Sequence, residues 1–389
     1  MTDKACSNNK KIKILHLIND LGCGGAQKVI YNLLCEIDRK RFLPVIGIWG
    51  RKWGHEMVEQ FSDSNIEVVD FEAHSRFDPK SINSLYKYLS KNHVDILHTH
   101  LFLMHIIGRV VGRSAGIPRI VSTHHNLLQS NNAILRVLEK LSLPLCDVTT
   151  SVSRAAQKSY YSVYKDFTID ALHSGNRHFT IYNPVNTDDI QKTLKKENRE
   201  EIIEELGLQD KFVFSCVGRL HPSKGHTYLF AAVEQLRNIH PNIKILIIGD
   251  GPLAEELKEE ARSKRLDKVI NFLGYRNDVF HILSASNALV QPSVFEGFGL
   301  ASAEALACGI PVISTTLPSI AEVVQDKKSG LLVPPGDVYA LAKAMAYLIE
   351  NPDIAAVYGQ TGRQFVEDRF SSTTITRQYE DLYQTLAEM

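Results

Sequence analysis

The chain has 389 residues, with 44 basic and 44 acidic side chains, so its formal net charge is zero. That length predicts two domains of about 180 residues each. With 44% hydrophobic and 23% charged residues, the make-up is that of a soluble globular protein, and no nucleic-acid partner is expected. The charge is uneven along the chain: 23 Lys and Arg stand against 16 Asp and Glu through Pro184, and 21 against 28 beyond it, while eleven of the fifteen histidines lie in the first part. A basic first half suits an anionic partner or a membrane surface, and ordinary charge scatter gives the same count. The cysteines (Cys6, Cys23, Cys35, Cys146, Cys216 and Cys308) are scattered without a CxxC or a zinc spacing, which reads as a reduced, cytoplasmic chain with no metal centre. The tract "MTDKACSNNKK" lacks the apolar segment of a signal peptide, and no run reaches about 18 apolar residues.

In chain order, apolar runs alternate with segments of helical periodicity, the pattern of parallel α/β structure. "IKILHLI" (12–18) reads as a buried strand and "AQKVIYNLLCEI" (26–37) as a helix. Strands follow at "LPVIGIW", "IEVVDF", "VDILHTH" and "PRIVSTHH". "NAILRVLEKLSL" (132–143) is amphipathic, with Arg136, Glu139 and Lys140 on its polar side; it packs on the first domain or touches lipid or an acceptor. At Asn183-Pro184 the pattern breaks before a charged stretch, which places the hinge there. A second series runs through "KFVFSCVG", "IKILIIGDG", "VINFLG", "ASNALVQPS", "GIPVIS" and "GLLVPPG", and a helix with Ser and Thr at its start closes the chain. The expected organisation is therefore a doubly wound domain over 1–184, a second over 185–369, and a terminal helix over 370–389 that crosses back to the first. Such domains bind ligands at the carboxyl ends of their strands, and two facing domains make a cleft.

Five strand-end stretches carry the candidate chemistry. "NDLGCGGAQKV" follows the first strand. Gln27 stands where a dinucleotide fingerprint needs its third glycine, and the second strand ends at Trp49 and Gly50 rather than an acid, so a nicotinamide site is not supported. Gly22, Gly24 and Gly25 remain as a tight turn or as bare amides for a phosphate or a sugar. "VGRLHPSKGH" places Arg219 and Lys224 between Gly218 and Gly225 at a strand-loop-helix junction, where two cations would grip a diphosphate and stabilise it as it leaves. In "VFEGFGLASAEA" a helix is expected near Gly299. Glu296 then lies in the loop and Glu304 in the second turn, the free amides of Gly299, Leu300 and Ala301 are ready for a phosphate, and Gly297, Phe298, Gly299 and Leu300 are expected among the residues that bind the nucleotide sugar. Glu296 can accept from sugar hydroxyls and Glu304 from a ribose. Capping by Glu296 and solvation of Glu304 is the bland reading. "VSTHHNL" offers His124 and His125, which point to opposite faces if the strand persists, and "HTH" adds His98 and His100. "FLGYRNDV" brings Gly274, Tyr275 and Arg276 to a turn that could read a base edge.

Together these stretches resemble the retaining glycosyltransferases of family 4, over nearly the whole chain. The Glu-x7-Glu pair, Glu296 and Glu304, is the most specific part, and "GRLHPSKG", "IIGDGP", "FLGYRNDV" and "GGAQKV" follow in the family's order. The resemblance implies the GT-B fold, two Rossmann-like domains facing across a cleft. It implies that Arg219 and Lys224 bind the diphosphate of a nucleotide sugar, that Glu296 contacts the sugar and Glu304 the ribose, and that 274–276 hold the base. It assigns the sugar-approaching histidine to His125, with His124 as the fallback. Closure about the hinge is expected to bring that histidine to the sugar. The implied reaction moves a sugar, with retained configuration, from a nucleotide-diphosphate donor, UDP-linked by expectation, to a lipid-linked, polysaccharide or small acceptor, in cell-surface polysaccharide or glycoconjugate synthesis. No metal or other cofactor is required, and the enzyme works in the cytoplasm or peripherally at the inner face of the membrane.

Two departures stand out. After "GIPVIST" the chain has Leu317, Pro318 and Ser319 where relatives carry glycines, which bears on the donor. Gln27 replaces a common glutamate, which bears on the acceptor. Rival readings are a UDP-GlcNAc 2-epimerase-like enzyme on the same architecture, a phosphorylase using pyridoxal phosphate, for which no lysine setting is evident, and a non-catalytic nucleotide-sugar-binding protein.

Overall fold

The structure is a computed structural model that describes residues 10–50, 57–128, 133–196 and 198–389. The N-terminal tract read for a signal peptide, together with Cys6, lies outside the described residues, except for its last two lysines, and so does residue 132 at the head of the amphipathic segment. The five remaining cysteines are free thiols. By its contacts the chain divides into two units, one of Met1–Pro184 with Ser372–Met389 and one of Val185–Ser371.

Among its described residues the first unit has seven strands: β1 (Ile12–Ile18), β2 (Phe42–Ile48), β3 (Glu67–Asp70), β4 (Ile96–His100), β5 (Arg119–His124), β6 (Val148–Ser151) and β7 (His178–Thr180). They form one parallel sheet in the order β3-β2-β1-β4-β5-β6-β7. A parallel sheet is covered on both faces, so its strands favour continuous apolar runs, as in β1 and β2. Strand β6, "VTTS", escapes that criterion: it is wholly buried, yet Thr149, Thr150 and Ser151 are polar; the two threonine hydroxyls find partners inside, and Ser151 Oγ has none among the described residues. The helix Ser372–Glu388 belongs to this unit. Its Tyr379 and Tyr383 are buried, and it is tied by Asp38 N to Glu380 Oε1 (2.7 Å) and by Arg119 Nε to the Leu386 carbonyl (2.8 Å).

The second unit repeats the plan with β8 (Phe212–Val217), β9 (Ile243–Ile248), β10 (Ile270–Gly274), β11 (Ala288–Gln291), β12 (Val312–Thr315) and β13 (Gly330–Val333). All its pairings are parallel, in the order β10-β9-β8-β11-β12-β13. Phe214, Phe230, Ile245, Ile247, Val290 and Ile313 centre its core. In each unit the winding direction reverses once, between β1 and β4 and between β8 and β11. The helices on either side of that point diverge and leave a crevice at the strand ends, where doubly wound sheets take ligands.

Candidate functional site

In the second unit the reversal point is built by stitching the loop after β8 to the loop after β11. Gly218 follows β8 at φ +145, and Arg219 is exposed beyond it. A single turn, Pro222–Lys224, is capped by His221, whose Nδ1 accepts from Ser223 N. Gly225 then turns at φ +70 into the helix His226–Leu236. A side chain there would put its Cβ 2.2 Å from the Pro292 carbonyl oxygen, so only glycine lets the two loops touch. Val294 N donates to the Ser223 carbonyl at 2.9 Å. This contact brings Lys224 to Glu296, with Nζ and Oε2 2.5 Å apart and both side chains largely shielded from solvent.

From Glu296 the chain passes through Gly299 (φ +97), whose Cβ position is closed by Ile320, into the helix Leu300–Ala307. Glu304 lies on that helix and is buried. Ser319, one of the residues that depart from the family pattern, is fully buried and its hydroxyl donates to the Glu296 carbonyl at 2.6 Å. The departure therefore supports the loop that carries the glutamate. Two expectations need correction. Phe298 is 2% exposed and packs edge-on against Phe370, so its ring belongs to the core and is not presented to a nucleotide sugar. Arg276 is not free to lie against a base: its fork grips Asp278 (2.7 and 2.6 Å) and Glu205 (3.1 Å), and these hydrogen bonds hold its pKa above the usual arginine value. Tyr275 is half exposed and Gly274 (φ +66) has open space around it.

In the first unit, Asp20 organises the glycine loop by accepting from Gly22 N and Gln27 Nε2, both at 3.0 Å. Gly24 ends the loop beneath Gln27 Oε1, and Gly25 opens the helix Gly25–Glu36 with nothing over its Cα. Gln27, where relatives carry glutamate, is thus a loop-fixing residue here. Strand register explains the histidines. His16 pairs with His98 across β1 and β4, and His100 pairs with Thr123 across β4 and β5. His16, His98, His100 and, two residues past Thr123, His125 therefore share one face. His16 Nδ1 lies 3.0 Å from His100 Nε2, and His100 Nδ1 lies 3.0 Å from His125 Nε2. His98 is held between the Tyr383 hydroxyl (2.7 Å) and Thr123 Oγ1 (2.6 Å), a structural role. Burial pushes His16 and His125 down to about 3 and His98 and His100 well below the usual imidazole value, so all four rings are neutral.

His124 points the other way, as strand alternation requires. It stacks on Tyr160 and approaches Glu139, which pairs with the fully buried Arg109 at 2.9 Å. Burial opposes ionisation of Glu139, but the positive charge around it, with the buried Arg109 guanidinium at 2.9 Å, holds the carboxyl below the usual range. Neither His105 nor Arg109 was singled out from the sequence. The signal was present: His105 and Arg109, four apart among apolar residues in "FLMHIIGRVVGRS", fall on one buried helix face. The segment Ala133–Ser142 packs through Glu139 yet leaves Ile134, Val137 and Leu141 exposed, along with Arg136 and Lys140. Among the described residues no helix is long and apolar enough to cross a membrane.

Residues 23–189 match the sequence model described as Glycosyltransferase Family 4, and residues 198–365 match Glycosyl transferases group 1. The chain is 29% identical over 313 residues, 79% of each chain, to the UDP-Gal:alpha-D-GlcNAc-diphosphoundecaprenol alpha-1,3-galactosyltransferase of Escherichia coli. It is 30% identical over 278 residues, 68% of this chain and 69% of the other, to the GDP-mannose-dependent alpha-(1-6)-phosphatidylinositol monomannoside mannosyltransferase of Mycolicibacterium smegmatis. Among solved structures, Anabaena Alr3699/HepE in complex with UDP-glucose superposes with a TM-score of 0.82 at 22% identity, covering 97% of this chain and all of that one. The two parallel sheets, the helices around them and this likeness make the fold GT-B, and the chain belongs to the family 4 (group 1) glycosyltransferases.

Proposed function

We propose that this glycosyltransferase moves a sugar, with retained anomeric configuration, from a UDP-linked donor to a lipid-linked acceptor. The observation that carries the donor half is the Lys224–Glu296 pair at the β8/β11 reversal point, 2.5 Å apart beside the amide end of the helix Leu300–Ala307. On this reading the diphosphate takes Lys224 from Glu296, with Arg219 as a second cation. Glu296, released, accepts from the sugar hydroxyls, and Glu304 accepts from the ribose. Gly218, Gly297, Gly299 and Leu300 give backbone to the phosphates, and Gly274 and Tyr275 flank the base. The two cations and the helix amides stabilise charge that develops on the leaving diphosphate, which is the largest electrostatic demand of the step and leaves no role that a metal must fill. On the same reading His125 is the hydrogen-bond donor for the transferred sugar, and Gly24 and Gly25 offer bare amides to the nucleotide sugar.

UDP is favoured over other bases because the Escherichia coli relative uses UDP-Gal and the Anabaena structures hold UDP and UDP-glucose. Both relatives named above act on lipid-borne acceptors by their names, a diphosphoundecaprenol and a phosphatidylinositol mannoside. The surface of the helix Ala133–Ser142 fits that acceptor. Ile134, Val137 and Leu141 form an exposed apolar stripe at helical spacing, and Arg136 and Lys140 flank it, which suits peripheral contact with an anionic bilayer.

A melting-temperature screen of UDP- and GDP-sugars, followed by transfer assays with a short polyprenyl-diphosphate-linked sugar, tests the proposal. The right donor raises the melting temperature in proportion to the logarithm of its concentration over its affinity. NMR of the product reads the anomeric configuration. Stabilisation by GDP-sugars alone, transfer only to water-soluble acceptors, or an inverted product would each overturn the corresponding part.

A further inference from the structure

We propose that His105, His124 and Glu139 form a metal site of zinc type inside the first unit, separate from the donor residues. His105 Nε2 faces the Thr123 carbonyl oxygen at 3.0 Å. A carbonyl only accepts, so Nε2 carries the proton, and in the neutral ring Nδ1 carries the lone pair. That lone pair looks at Glu139 Oε1 from 3.4 Å, too far for a good hydrogen bond and with no proton between them. His124 Nε2 lies 3.5 Å from the same oxygen, and neither of its ring nitrogens has a hydrogen-bond partner among the described residues; Glu139 Oε2 is equally buried and unmatched. Buried polar atoms are rarely left this way. Glu139 Oε1 also accepts from Arg109 Nη1 at 2.9 Å, and a divalent cation between the carboxylate and the two imidazoles would give His105 Nδ1, His124 Nε2 and Glu139 Oε2 the partner they lack.

Four-coordinate zinc with bonds of about 2.0–2.1 Å holds its ligand atoms about 3.3 Å apart. Glu139 Oε1 stands near that spacing from both imidazoles, and the three ligand atoms all lie within 4.8 Å of one another, so a small closing of the two rings would complete the set. Two imidazoles and one carboxylate suit zinc, or cobalt, nickel or iron in the same charge state. The outer partners are also in place. Thr123 orients His105 through the nitrogen that would not bind metal, and Arg109 Nη1 donates to Glu139 at 2.9 Å. Each ligand comes from a regular element: His105 from the helix Phe102–Ser114, His124 from the last position of β5 and Glu139 from the helix Ala133–Ser142. The Arg109 charge weakens the site, so the metal is expected to exchange with chelator. Its effect is to clamp the exposed amphipathic helix to the strand end that leads into His125.

The other trio of close histidines, His16, His98 and His100, does not compete. Both nitrogens of His98 and both of His100 are already engaged with Tyr383, Thr123, His16 and His125. Only His16 Nε2 is left without a partner there among the described residues, whereas at Glu139 both imidazoles and the carboxylate have unmatched atoms.

The test is titration of chelator-treated protein with Co2+, followed by absorption, and with Zn2+, followed by calorimetry and melting temperature. The expected result is one equivalent bound, visible bands of four- or five-coordinate cobalt, and stabilisation that rises with free zinc. Binding should be lost in both His105→Gln and Glu139→Gln and kept in His16→Gln. Circular dichroism confirms that the variants fold. If Glu139→Gln unfolds, because Arg109 loses its partner, His124→Gln replaces it. A wild-type protein whose cobalt spectrum stays that of the aquo ion, or stoichiometric binding that survives both ligand variants, overturns the assignment.

Discussion

His100 stands between two other imidazoles, with its Nδ1 3.0 Å from His125 Nε2 and its Nε2 3.0 Å from His16 Nδ1. In a row of neutral rings each ring that accepts on one side must donate on the other, so the protons all point one way. The far end, His16 Nε2, is buried without a hydrogen-bond partner among the described residues. A buried N–H without an acceptor is worse than a lone pair without a donor. The row therefore runs from His16 to His125, and His125 holds its proton on Nδ1. Nitrogen-15 NMR should report His125 as the Nδ1–H tautomer, which makes it a hydrogen-bond donor to an approaching sugar. A His125 protonated at Nε2 would reverse the direction. His100→Phe should lower kcat by about tenfold or more while leaving UDP affinity unchanged, because it frees the tautomer without touching the nucleotide residues.

The Lys224–Glu296 ion pair gives a second prediction. Lys224→Ala should weaken UDP binding and reduce kcat by on the order of 10²–10³. Glu296→Gln removes the competitor for the lysine, so UDP should bind as well as before or more tightly while transfer falls by a similar factor. Calorimetry with UDP alongside initial rates separates the two. Equal losses of UDP affinity in both variants would show that the glutamate does not compete with the diphosphate.

Gly225→Ala should destabilise the second unit by more than 1 and up to about 3 kcal/mol, because φ is +70 and the new Cβ meets a carbonyl oxygen. That corresponds to a melting temperature several degrees lower for a unit of this size. Gly25→Ala is the control. Its Cβ meets nothing within 4 Å and its φ is ordinary, so calorimetry should find no loss.

His226 sets a pH dependence. Burial, reinforced by Lys224, pushes its imidazole down to about 4. The unfolded value is near 6.5, so between those limits the unfolded chain binds more protons and stability rises with pH. As pH falls from 6.5 toward 4, on the order of 3 kcal/mol is lost. The fall in melting temperature across this window should be shallower in His226→Asn than in wild type. Parallel curves would contradict the shift.

For the membrane reading, Ile134→Ser with Leu141→Ser should abolish co-sedimentation with phosphatidylglycerol vesicles without changing the melting temperature, since both side chains are exposed. Retained sedimentation would remove this helix from the contact.

The sequence by itself determined the alternation of strands and helices, because parallel strands covered on both faces favour apolar runs and helices repeat every 3.6 residues. It also placed Arg219, Lys224, Glu296 and Glu304 at strand ends, because glycines mark where the backbone turns. Strand β6 was not legible, since Thr149 and Thr150 are buried through hydroxyl hydrogen bonds rather than through apolarity. Only the tertiary structure decided how the side chains are used. Strand order sets β1 beside β4 and β8 beside β11, and register then joins His16 to His100 and Lys224 to Glu296 across 84 and 72 residues. The same packing turns Phe298 into the core, binds Arg276 to Asp278 and Glu205, and closes His105, His124 and Glu139 around one point. Local periodicity fixes which face a side chain takes, but the partner on that face comes from strands and helices distant in sequence.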